Sequence, residues 1–75
     1  MQLKKRKITL TKRENLILDL ISRGYTNKKI GEQLKLKLPT VSTSILNMLR
    51  KTDCINRTSL VRWGFEKGLL QISGD

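Results

Sequence analysis

Residues 26–50 read TNKKIGEQLKLKLPTVSTSILNMLR, and this stretch decides the fold. Thr26 is a helix-capping residue type whose hydroxyl accepts an amide N–H left free at a helix start. Ile30 and Leu34 follow at helical spacing, so a short helix is predicted through about Leu34. Gly31 lowers helix propensity relative to Ala and is expected to admit a neighbouring helix at close range. Lys35, Leu36 and Lys37 suffice only to reverse the chain, and Pro39 fits only in the first turn of a helix. A longer helix is therefore predicted from near Leu38 to about Thr52. At about 100° per residue, Val41, Ile45, Met48 and Thr52 share one side, flanked by Ser44 and Leu49. Ser42, Thr43, Leu46, Asn47 and Arg50 point the other way, an outer face that is polar except for Leu46.

Working outward, Thr11-Lys12-Arg13-Glu14 carries the capping-box pattern, in which the Thr hydroxyl and the Glu carboxylate satisfy each other's backbone amides. A first helix is predicted over 12–23, with Leu16, Ile17, Leu20 and Ile21 as its apolar face and Gly24 as its left-handed stop. A last helix is predicted from about Thr58 to Lys67, stopping at Gly68. It holds Leu60, Val61, Trp63, Gly64 and Phe65, more apolar residues than one buried stripe can use, which assigns part of it to a second subunit. The expected fold is all-α, a four-helix domain over 9–70 between a basic tail or linker (1–8) and a short C-terminal tail (71–75). Helix, tight turn and helix with a hydroxyl-rich outer face is the helix-turn-helix layout, which presents one helix to the major groove of DNA.

Composition narrows the partner. Sixteen Lys and Arg against six Asp and Glu give the 75-residue chain a net charge of +10. That charge calls for a polyanion, with nucleic acid ahead of an anionic membrane surface. No apolar run approaches the roughly 20 residues that span a bilayer, and no signal-peptide core is visible, so the chain reads as soluble and intracellular. Cys54 is the one cysteine and there is no His, which excludes an intrachain disulfide and a zinc module and implies no cofactor. The six acids are scattered, Glu14 is explained as a cap, and Ser42-Thr43-Ser44 has no base beside it, so no enzyme is expected. Lys4, Lys5, Arg6 and Lys7 form a solvated run suited to a linker or a DNA arm. A short chain buries only about 60% of its unfolded surface, so modest stability is expected.

Several motifs in register make the chain resemble the LuxR/GerE-type DNA-binding domain, the C-terminal output module of many bacterial response regulators and quorum-sensing activators. Leu10-Thr11-x-Arg13-Glu14 matches its opening, and Gly24-x-Thr26-Asn27-Lys28-x-Ile30 the start of its second helix. Thr40-Val41 and Leu49-Arg50-Lys51 match the two ends of its recognition helix, and Asn56-Arg57-Thr58-x-Leu60-Val61 the start of helix four. The departures are Lys29 for Glu, Gly31 for Ala, Lys37 for a capping Ser or Thr, Ser44 for a larger polar residue, and Thr52-Asp53 for Leu-Gly. They predict a looser end to helix three and a DNA preference of this chain's own.

The resemblance implies a sequence-specific DNA-binding transcription regulator, bacterial, cytoplasmic and nucleoid-associated, acting on double-stranded DNA. Its base-reading positions fall on Ser42, Thr43 and Leu46, all of which the helical wheel independently places outside the core. Hydroxyls discriminate bases weakly, whereas Leu46 suits a thymine methyl, so modest specificity is expected. Phosphate contacts are expected from Asn27, Lys28, Thr40, Arg50 and Lys51. Arg57 is either a further phosphate contact or a local ion-pair partner holding helix four. The family also dimerises through helix four, which assigns a homodimer interface to Val61, Arg62 and Phe65. The competing reading is a helical protein-interaction module that contacts RNA polymerase or another regulator without DNA specificity of its own. Lys12, Arg13, Lys35 and Lys37 read as solvated helix-end charges, Cys54 as a buried thiol, and Trp63 as a cover for the core or an interface.

Overall fold

The computed structural model describes residues 8–71, which form α1 (Lys12–Ser22), α2 (Asn27–Leu34), α3 (Leu38–Thr52) and α4 (Arg57–Glu66), with no strand among them. The basic run at 4–7 and residues 72–75 lie outside the described residues. Among those described, no helix is long and apolar enough to cross a membrane.

Each helix start follows from its cap. Thr11 Oγ1 accepts the Glu14 N–H at 3.1 Å and Glu14 Oε1 accepts the Thr11 N–H at 2.9 Å, completing the capping box of α1. Thr26 Oγ1 accepts the Lys29 N–H at 3.1 Å at the head of α2. α3 has Pro39 in its first turn and no side-chain cap, because the ammonium of Lys37 can only donate. α4 begins one residue earlier than expected. Asn56 Oδ1 accepts the Ser59 N–H at 2.8 Å and Ser59 Oγ accepts the Asn56 N–H at 3.2 Å, a second capping box with Ser in place of the usual Glu.

All four helices end by one device, a left-handed residue whose successor donates its N–H five residues back. Tyr25 donates to the Leu20 carbonyl, Leu36 to Gly31, Cys54 to Leu49 and Leu69 to Gly64, at 3.1, 2.8, 3.0 and 2.8 Å. The left-handed residue is Gly24 in the first case and Gly68 in the last, but Lys35 (φ 58°) and Asp53 (φ 59°) in the other two. The end of α3 is therefore closed, not loosened. Asp53 adopts the conformation that glycine provides more cheaply, and the buried Thr52 hydroxyl donates to the Met48 carbonyl at 2.8 Å.

Ile17, Leu18 and Ile21 of α1, Ile30 of α2, Val41, Ile45 and Met48 of α3, and Leu60 of α4 form the core, closed at its edges by Leu10 and Leu70. One expectation is corrected here: Leu16 is 50% exposed and Leu18 is 1% exposed. The buried stripe of α1 is Glu14, Ile17, Leu18 and Ile21. Its spacing is the same as that of the expected face but shifted in register, with an acidic residue at its head. Leu20 is half-buried. Gly31 serves a close approach, but to the turn and not to a helix, since a Cβ there would lie 2.7 Å from the Leu36 carbonyl oxygen. Leu36 itself packs against the core, so the turn also contributes apolar contact.

Candidate nucleic-acid interface

α3 divides as its sequence pattern requires. Val41, Ile45, Met48 and Thr52 are buried, while Ser42, Thr43, Leu46, Asn47 and Arg50 are exposed. Ser42, Leu46 and Arg50 stand four residues apart along one ridge, which at 1.5 Å per residue extends about 12 Å. Leu46 is 48% exposed, a large apolar side chain between hydroxyls and a guanidinium. Leu38, at the start of the helix, is equally open at 51%. Thr40 is half-buried in the first turn. Lys28 and Leu38 border one shallow hollow with Gly31, Glu32 and Leu36, which places the exposed side of α2 beside the head of α3.

At the head of α2, Thr26 takes the Lys29 amide, and the amides of Asn27 and Lys28 have no partner among the described residues. A first-turn amide pair with a lysine beside it favours an anion, since the helix dipole adds partial positive charge there. Arg57 reaches this point from α4. Its Nη1 donates to Asn27 Oδ1 at 2.6 Å and its Nη2 to the Tyr25 carbonyl at 2.8 Å. These bonds tie α4 to the start of α2 and the loop before it across 30 and 32 residues of sequence, so Arg57 is engaged with neutral oxygens there and not in the local ion pair that was one of its two expected roles.

Lys51 has internal work. Its Nζ donates to Glu14 Oε1 at 2.6 Å and lies 3.5 Å from the Thr9 carbonyl, joining the end of α3 to the head of α1. Burial opposes ionisation of Glu14, but the Lys51 ammonium and the Thr11 amide outweigh it and hold the carboxyl below its ordinary value of 4.5. The lysine side chain is 37% exposed, and two of its three N–H donors are engaged in these contacts.

On α4, Leu60 and Gly64 face the core and Val61 is partly buried against it. Arg62 is exposed and pairs with Glu66 on its own helix at 3.5 Å, and Phe65 is 39% exposed. Ile55 and Leu69 are further exposed apolar residues near the two ends of this helix. Cys54 is half-buried, with its thiol 3.6 Å from the Ser59 carbonyl.

Local periodicity carried no sign of the Glu14–Lys51 and Asn27–Arg57 contacts, because each partner satisfies a different local pattern. The one available signal was the coincidence of an acid in the α1 capping box with a lysine at the end of α3. Leu38 was legible as the first residue of α3 but not as an exposed apolar group.

Comparison with known proteins agrees with this arrangement. The sequence profile of the family GerE, described as bacterial regulatory proteins of the luxR family, matches residues 8–64. The chain is 54% identical over 50 residues to the transcriptional regulatory protein LiaR of Bacillus subtilis, covering 67% of this chain and 24% of that protein. It is 38% identical over 65 residues to the response regulator Rre1 of Synechocystis, covering 87% of this chain and 28% of that protein. It is 39% identical over 62 residues to the response regulator VraR of Staphylococcus aureus, covering 83% of this chain and 30% of that protein. Among solved structures, the response regulator ChrA of a heme-sensing two-component system superposes with a TM-score of 0.81 at 27% identity, over 89% of this chain and 33% of that one. The chain thus spans about a quarter to a third of the length of these relatives. A capped four-helix fold with an exposed third helix, a family profile over residues 8–64 and these regulators as relatives identify the chain as a member of the luxR family of bacterial regulatory proteins, which are transcription regulators and not enzymes.

Proposed function

We propose that this chain is the module through which a bacterial transcription regulator binds specific sequences of double-stranded DNA, with α3 lying in the major groove. The observation that carries the reading is the outer face of α3. It is exposed along its length, and the three positions inferred as base readers, Ser42, Thr43 and Leu46, share it. A helix of about 10–12 Å diameter fits the roughly 12 Å width of the major groove. Leu46 packs on a thymine methyl, and the hydroxyls of Ser42 and Thr43 bond base edges with modest discrimination. Asn27, Lys28, Thr40 and Arg50 bond backbone phosphates. Lys51 adds a weaker contact through its remaining N–H donor, its charge partly offset by Glu14. If the chain's other Lys and Arg bring the phosphates neutralised per half-site from the three of Lys28, Arg50 and Lys51 to about six, log K falls against log salt with a slope of about −5.

The homodimer on DNA uses Val61, Arg62 and Phe65 of α4, with half-site centres roughly 10 bp or a multiple apart. Its place of action is the nucleoid in the cytoplasm. Selection of bound duplexes from a random pool tests the proposal: an enriched inverted repeat supports it, and a pool that stays random after repeated rounds refutes specific recognition.

A second reading, a module gripping RNA polymerase or another regulator, draws on one observation. Leu16, Leu34 and Leu36 line a shallow hollow bordered by Lys12 and Arg13, made by α1, α2 and the turn after α2. It predicts weak binding to naked DNA at physiological salt, and substitution of Leu16 by Ser then lowers transcription without changing DNA affinity.

A further inference from the structure

We infer that Arg57 is a positioning residue that orients the Asn27 amide toward a DNA phosphate, and is not itself a phosphate ligand. The inference rests on the DNA-binding reading above and adds a role that the contacts define. A guanidinium carries five N–H donors and no acceptor, so the Asn27 group facing it has to be the carbonyl oxygen. With Oδ1 held at 2.6 Å by Nη1, the amide nitrogen of Asn27 necessarily points the other way, presenting two donors at the head of α2. The same helix start carries the backbone amides of Asn27 and Lys28, which have no partner among the described residues, and the exposed Lys28.

An asparagine without this anchor has to be turned and held by the phosphate itself, whereas the anchored side chain already presents nitrogen. The second bond, from Nη2 to the Tyr25 carbonyl at 2.8 Å, fixes the guanidinium plane against the loop before α2, so the clamp holds both the side chain and the backbone leading into it. Arg57 is itself half-buried in this arrangement, with two of its nitrogens engaged on neutral oxygens. The cationic residue that looks like a phosphate ligand in the sequence thus acts through its neighbour.

The test measures duplex affinity against salt for the wild type, Arg57→Met, Asn27→Ala and the double variant, with thermal unfolding recorded for each. Arg57→Met is expected to weaken binding about tenfold per protomer, the scale of one charge-assisted hydrogen bond, while leaving the log-log slope unchanged. In the Asn27→Ala background the same change is expected to cost less than about twofold. A slope that falls by about 1 makes Arg57 a phosphate ligand and overturns the inference, as do losses that add independently. Asn27→Asp keeps the acceptor for Arg57, so it folds if Arg57→Met does not. It is expected to match or exceed the wild-type melting temperature, yet bind more than about tenfold more weakly, because a carboxylate oxygen now faces the phosphate. Undiminished DNA binding by Asn27→Asp overturns the inference as well. A wild-type slope near zero instead removes the DNA-binding reading itself, a result distinct from any of these.

Discussion

Glu14→Gln isolates the contact that joins the head of α1 to the end of α3. The glutamine oxygen still accepts the Thr11 N–H, so the capping box survives, but the charge that faces Lys51 at 2.6 Å is gone. The Glu14 side chain is 10% exposed and that of Lys51 37%, so solvent screens the pair from one side and its net worth is about 0.5–1 kcal/mol. For a domain of this size that lowers the melting temperature by about 2–8 °C. Glu14→Ala also loses the cap and is expected to cost about 1–2 kcal/mol in all.

The pH dependence supplies the sharper readout. The carboxyl is held below its ordinary value of 4.5, so the contribution of the pair is complete above that value and is lost as the pH falls through the lower folded-state value. Thermal unfolding followed by far-UV circular dichroism is therefore expected to separate Glu14→Gln from wild type at about pH 7 and to narrow the gap as the pH falls below 4.5 and the Glu14 carboxyl takes up its proton. A gap that persists unchanged at the lower pH, or no gap at neutral pH, refutes the assignment of the stabilisation to the ion pair.

Other substitutions test the rest of the account. Lys35→Gly and Asp53→Gly relieve left-handed strain at the ends of α2 and α3, and each is expected to raise stability by about 0.5–1 kcal/mol in denaturant melts, net of the greater freedom of the unfolded chain. Lys37→Ser gives α3 the side-chain cap it lacks and is expected to add about 0.5–1 kcal/mol, measured in the same way. Val61→Glu places a charge on the α4 face and is expected to abolish cooperative binding to an inverted repeat while leaving single half-site affinity within about threefold; intact cooperativity places the dimer interface elsewhere.

The helices were legible because caps, stops and apolar spacing agreed locally. Thr11 with Glu14, Thr26, and Pro39 marked starts that the structure shows, and the two-sided pattern of α3 identified its exposed face. What stayed hidden has a physical cause in each case. The register of α1 was misread because its buried stripe begins with the acidic Glu14 and the exposed Leu16 imitates a core residue. Asp53 concealed a tight helix end, since a left-handed conformation is usually signalled by glycine. The roles of Lys51 and Arg57 depend on partners 37 and 30 residues away, which no local pattern encodes. The cations were therefore the least legible part of the site, and the outer face of α3 the most legible.

The central claim is that side chains on that face read DNA. Its most direct test is the ratio of affinities for a selected duplex and a scrambled one, compared between wild type and the Thr43→Ala, Leu46→Ala double variant at several salt concentrations. The account predicts that the ratio collapses toward 1 in the variant, while affinity for scrambled DNA and its log-log slope of about −5 stay unchanged. A ratio that survives the loss of both side chains contradicts it.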